Sequence, residues 1–136
     1  MSEIQNPQLT LQRDDASARF FAAAASGQLL ILVCASCGNP EPADALSCAQ
    51  CGATALDEAT ATGNGRLVTW TVVARAPHPA FADLVPYLVG VVELDEGPWM
   101  HARLALASDQ AESGLALTAT FVPSADGECY PVFTKR

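Results

Sequence analysis

The chain has 136 residues, half of them apolar, which suits one ordinary domain or a small stapled unit joined to a compact barrel and excludes a disordered tail. Its net charge is −8, with 15 acidic residues against seven basic ones. That field repels phosphates, and no basic stripe of the kind that binds a nucleic-acid backbone is visible.

No run approaches the roughly 20 apolar residues that span a bilayer. Residues 1–15 lack the basic start and apolar run of a signal peptide. A cytoplasmic protein with no membrane and no nucleic-acid partner is therefore expected, with its thiols reduced.

In chain order, residues 1–13 read as a loosely ordered segment with Asn6-Pro7 as a breaker. Asp14 or Asp15 then caps a helix through "ASARFFAAAASGQ", in which alanine favours the helix and Gly27 ends it. Ala16, Phe20, Ala23 and Ala24 fall on one face. The Phe20-Phe21 pair is an anchor, either onto the chain's own core or onto a partner protein. "LLILV", Leu29–Val33, reads as a strand leading into Cys34.

Four of the five cysteines follow in "CASCGNPEPADALSCAQCG", as Cys34-x-x-Cys37 and Cys48-x-x-Cys51. Four thiolates at this spacing fill a tetrahedral Zn²⁺ site and leave no position for a catalytic water. The expected role is structural, a staple for a segment too small to build its own core. Gly38 and Gly52 stand where each knuckle turns back with positive φ, and Pro40 and Pro42 make the connector a rigid loop. Iron on the same ligands would give a rubredoxin-type electron carrier, since ligand type alone does not separate the two metals. Cys129, in "GECYPVF", reads as a small buried residue near the last strand.

From Gly63 onward the pattern alternates with period two. Strands are expected at residues 66–75, 86–95, 99–106, 114–122 and 128–133, with short turns at 95–97 and 125–127. Five strands with no helix among them suggest a small closed barrel, most simply an OB-fold. The fold class is thus mainly β: an N-terminal segment and helix (1–28), a rubredoxin-like zinc ribbon with four cysteine ligands (29–60) and a five-stranded OB-fold barrel (61–136).

Trp70 and Trp99 are expected in the core. The acidic run Glu93, Asp95 and Glu96 reads as a solvated hairpin end. The long loop 76–85, with His78 and Phe81, either lines a binding face or tucks Phe81 onto the barrel; the loop 107–114 reads as plain surface.

Taken in order, these motifs resemble a known family. A helix with a phenylalanine pair and "SGQLLILVCASCG" comes first, then the two knuckles, "TGNGRLVTWTVV", "PYLVGVVELDEGPWMHARL" and a final "YPVF". Together they are similar to the prokaryotic rubredoxin-like zinc ribbons joined to an OB-fold, a family long catalogued as a domain of unknown function and described as acyl-CoA-associated. The chain departs from it at Leu32-Val33, where the family often has Gln-Arg, and at Ala49-Gln50, where it often has proline. The resemblance implies a non-catalytic accessory subunit that binds a thiolase-superfamily enzyme and completes or shields an acyl-CoA site.

The residues themselves offer no paired nucleophile and base, since His78, His101 and Ser36 stand apart in the sequence. No turnover is expected of the chain alone. Phe20, Phe21, His78 and Phe81 are the candidate contacts to partner or acyl-CoA, and Cys34, Cys37, Cys48 and Cys51 the candidate metal ligands. The rival readings are a nucleic-acid-binding ribbon and OB-fold and, behind it, the electron carrier.

Overall fold

The computed structural model describes residues 4, 6–7, 9–125 and 127–136. The expected turn at 125–127 therefore falls partly on Asp126, outside the described residues.

Helix α1 spans Ala18–Ala25. Asp14 does not cap it directly. Its carboxylate accepts from the Ser17 N–H (2.9 Å) and hydroxyl (2.7 Å), which closes the turn that feeds the helix. At the other end Gln28 N–H donates to Ala23 O and Gly27 N–H to Ala24 O, the paired bonds of a Schellman stop.

The strand β1 (Leu29–Cys34) lies between β2 (Pro40–Glu41) and β3 (Leu56–Ala61), antiparallel to both. Two features of this sheet differ from the sequence reading. The connector holds a two-residue strand in place of the expected loop, and Pro40 is tolerated because β2 is an edge. The strand β3 is not announced by its sequence, because "LDEATA" is poor in strand-forming residues. Apolar β1 supplies its pairing partner, from Leu29↔Ala61 to Cys34↔Leu56.

The remaining strands are β4 (Asn64–Val73), β5 (Tyr87–Leu94), β6 (Trp99–Leu104), β7 (Ala116–Pro123) and β8 (Cys129–Lys135). They close a barrel in the order β4-β5-β6-β8-β7, with β7 pairing back to β4 and β6 meeting β8 in parallel at Leu104↔Phe133. This is the five-stranded Greek-key closure of an OB-fold. Leu67, Leu88, Val92, Leu104, Leu117 and Phe133 fill it, and Leu29, Ile31 and Ala61 of the ribbon sheet join the same buried cluster. Helix, ribbon and barrel therefore share one core.

Among the described residues of the N-terminal segment, Asn6, Leu11 and Arg13 are tied down, where loose order is expected. Leu11 O accepts from Glu128 N–H (2.8 Å), and Arg13 grips Glu128 with two bonds of 2.6 and 2.9 Å. Gly127 permits this approach, since a Cβ there would overlap the Leu11 backbone. Further back, Asn6 Oδ1 accepts from Tyr130 (2.9 Å) and Arg103 (3.1 Å).

The β5–β6 hairpin end is not simply solvated. Glu96 reaches across to accept from Thr62 N–H at 2.9 Å, which ties it to the joint between ribbon and barrel. Loop 76–85 contains a 3-10 turn at Pro79–Phe81, and loop 107–114 another at Ser108–Gln110. Cys129 opens β8 half-buried. No helix among the described residues is long and apolar enough to cross a membrane.

Candidate metal centre and adjoining groove

The two knuckles are built alike. Cys34 N–H donates to Asn39 O, and Gly38 N–H returns to Cys34 O; Cys48 N–H donates to Ala53 O, and Gly52 N–H returns to Cys48 O. Each loop needs a left-handed residue at its fifth position, and Gly38 and Gly52 supply φ of 78° and 80°. The repeat turns both sulfurs of each pair inward.

The four Sγ atoms lie within 4.8 Å of one another, with Cys34–Cys51 and Cys37–Cys48 at 3.5 Å. A tetrahedral ion with metal–sulfur bonds of about 2.3 Å needs sulfur separations of about 3.8 Å. The set fits such an ion. Gln50 and Cys51 also aim their N–H groups at the Cys48 sulfur, at 3.3 and 3.4 Å, as suits a thiolate.

The charge balance points the same way. Backbone N–H groups, that of Cys37 foremost, pull the Cys34 thiol from 9.0 down to about 6. The Cys37 thiol is pushed up to about 12: the Asn39 N–H works against the rise, while the Cys48 sulfur and desolvation produce it. Cys51 is raised as well, against the Ala53 N–H, by the Cys34 sulfur. Cys34 ionises readily while Cys37 and Cys51 resist, a resistance that a bound dication would reverse.

Glu41 is the residue the sequence reading missed. It is only 4% exposed. One carboxylate oxygen accepts from Ala49 N–H inside the second knuckle (2.6 Å), and the other from Asn39 Nδ2 at the exit of the first (3.2 Å). A buried carboxylate held by backbone N–H is a strong brace between the two knuckles. The only signal in the sequence was an acid placed directly between the two prolines of the connector.

Beside the ribbon lies a groove of about 500 Å³ between α1, the connector and β6. Phe20 and Phe21, edge-to-face at 5.7 Å, form one wall, and Pro42–Asp44 and Trp99–His101 the others. Phe20 also packs on the core.

Trp99 corrects the sequence reading. It is 56% exposed, with its indole N–H on Glu93 at 2.9 Å, while Trp70 does pack against the core. The other candidate contacts do not line this groove. His78 is exposed and accepts from Ala80 N–H through Nδ1, and Phe81 stacks on Tyr87 at 5.7 Å. Tyr87 borders a second cavity of about 1020 Å³, which also takes in Arg103 and Lys135.

Residues 58–122 match the family profile described as "ChsH2, C-terminal OB-fold domain". A solved chain described as an Ltp2-ChsH2(DUF35) aldolase superposes with a TM-score of 0.77 and 31% identity, covering 90% of this chain and 96% of that one. The chain belongs to the DUF35 family. A DUF35 structure from Sulfolobus solfataricus, of unknown function, shares the fold at a TM-score of 0.62 and 10% identity, over 90% of this chain and 86% of its own.

Among relatives by sequence, a "Probable enoyl-CoA hydratase alpha subunit" of Thermomonospora curvata is 32% identical over 93% of this DUF35 chain and 39% of its own length. A "DUF35 domain-containing scaffold protein" of Pyrococcus furiosus is 39% identical over 42% of this chain and 41% of its own. The matches to these two relatives thus span about two-fifths of their length.

Proposed function

We propose that this DUF35 chain is a non-catalytic accessory subunit. In this reading it binds a thiolase-superfamily enzyme in the cytoplasm and helps complete or shield the acyl-CoA site where that enzyme makes or breaks a carbon–carbon bond. The observation that carries the reading is the likeness to the chain of the Ltp2-ChsH2(DUF35) aldolase, at 31% identity over 96% of that chain. The scaffold description of one relative and the enoyl-CoA hydratase description of another support it.

The roles of this chain's residues follow from their chemistry. Cys34, Cys37, Cys48 and Cys51 would hold Zn²⁺, whose four thiolate ligands leave no position for a substrate, so the ion serves the fold. The stiffened ribbon then presents a surface that needs little ordering when it docks. Phe20, Phe21, His78 and Phe81 are the proposed contacts to partner or thioester. In a chain of net charge −8 the phosphates of the CoA moiety need basic groups from the partner, while this subunit contributes apolar cover that keeps water from the thioester.

Purification of the tagged chain from its native host tests this reading. An acyl-CoA enzyme should accompany it in fixed ratio, with one equivalent of zinc in a colourless sample. A chain that purifies alone, or with nucleic acid, contradicts the accessory role. A red, iron-containing chain would instead support the electron carrier.

A further inference from the structure

We propose that the tip of the ribbon connector, centred on Leu46, and the groove beside it form the docking face for the partner enzyme. The partner answers with an apolar pocket for Leu46 and with a large apolar side chain, flanked by lysine or arginine, for the groove. This deepens the accessory-subunit reading and rests on it.

Leu46 is 89% exposed. A single exposed leucine is ordinary, but this one has company. Trp99, on the groove wall, is another of the large apolar side chains exposed among the described residues, and the connector joins the two features. Pro42–Asp44 form a wall of the groove, and Leu46 follows two residues later. Exposed apolar side chains grouped around a concave site mark an interaction surface rather than random exposure.

The face is also held in shape before anything binds. Cys37 and Cys48 pin both ends of the connector, Glu41 braces it from within, and Ala45 N–H closes a turn on Pro42 O at 3.0 Å. The bond to Glu93 fixes the indole of Trp99. A rigid knob and an oriented aromatic lose little freedom on docking, which is how binding energy concentrates on few residues.

Charge selects the occupant. Asp14 and Asp44 line the groove, and no lysine or arginine among the described residues does. With a net charge of −8 a second copy of the chain is repelled, and so are an anionic membrane and the phosphates of a CoA moiety. A basic-flanked segment of the partner fits both the walls and the charge.

The test uses the acyl-CoA enzyme that co-purifies with the wild-type chain, identified by mass spectrometry and then separated and re-bound in calorimetry. Leu46→Asp and Trp99→Ala should each weaken binding by about 30-fold or more, with metal content and melting temperature unchanged. Leu46→Ala, which removes only exposed carbon, keeps the test open should the aspartate disturb the connector. Asp44→Lys should weaken binding, and so should salt raised from about 0.05 to about 0.5 M. Val72→Ala, exposed elsewhere on the barrel, should change nothing.

If wild type binds and the folded Leu46 and Trp99 variants bind equally well, the docking face is overturned while the accessory role stands. If wild type brings down no acyl-CoA enzyme, both fall. Self-association of the chain that Leu46→Asp abolishes would assign the face to a second copy and overturn the proposal.

Discussion

Inside the barrel, Leu67, Leu88, Val92, Leu104, Leu117 and Phe133 bury one another, drawn from strands far apart in sequence. Between residues 34 and 56 the buried residues are Cys34, Glu41 and Cys48, and all three belong to the metal centre or its brace. The barrel is held by apolar area removed from water, about 25 cal/mol for each Å². The ribbon has almost none to offer beyond β1 and leans on one carboxylate and on four clustered thiols that could hold an ion. A chain that joins the two kinds of unit gains a surface stiff at its tip without a large core beneath it.

Metal loss should separate the two regions most sharply. In Cys34→Ser or Cys51→Ser the ribbon forfeits metal-binding free energy, which for sites of this kind is about 10 kcal/mol or more and is also folding free energy. Amide exchange over residues 34–54 should rise toward the unfolded rate, while β4–β8 stay protected. A barrel that melts together with the ribbon would break the comparison.

The reverse experiment is Leu117→Ala. Leu117 is fully buried, and its truncation should cost about 2–5 kcal/mol in denaturant unfolding, with metal content unchanged. Glu41→Ala should act at the junction of the two modes. Loss of a hydrogen-bonding partner just outside the ligands typically lowers metal affinity about 10- to 100-fold, which chelator competition would read, and the barrel's unfolding should not move.

The smallest effect concerns neither region directly. Arg13 holds the Glu128 carboxyl below its ordinary 4.5, chiefly by hydrogen bonding. A carboxylate depressed in the folded state stabilises above that value and loses its contribution as pH falls through the folded pKa. Arg13→Ala should therefore lower stability slightly at neutral pH and flatten the acid limb below about pH 4.5, where variant and wild type converge, with metal content unchanged. An unaltered acid limb would count against the pairing.

The same contrast explains what can be read from the sequence. The barrel strands announce themselves by alternation: β5 is expected at 86–95 and lies at Tyr87–Leu94, and β4 is expected at 66–75 and lies at Asn64–Val73. The knuckles are legible because thiol spacing and glycine placement are local. Trp99 misleads because its size outweighs its register. Counting back by twos from buried Leu104 puts Ala102 and Met100 inward, and Trp99 on the outer face.

Other features depend on distant parts of the chain. Nothing in "LDEATA" marks a strand until β1 lies alongside. The burial of Glu41 depends on an N–H eight residues away, in the other knuckle. Leu46 and the groove depend on how α1, the connector and β6 meet, which no window of sequence contains.

Reconstituted turnover is the most direct test of the proposed role. The acyl-CoA enzyme that accompanies the chain would be assayed on its CoA thioester alone, with this chain added in steps, and against the chain by itself. An accessory subunit predicts no turnover by the chain alone and a rate that climbs until the two proteins reach a fixed ratio. Turnover by the purified chain, or an enzyme rate indifferent to its addition, would contradict that role.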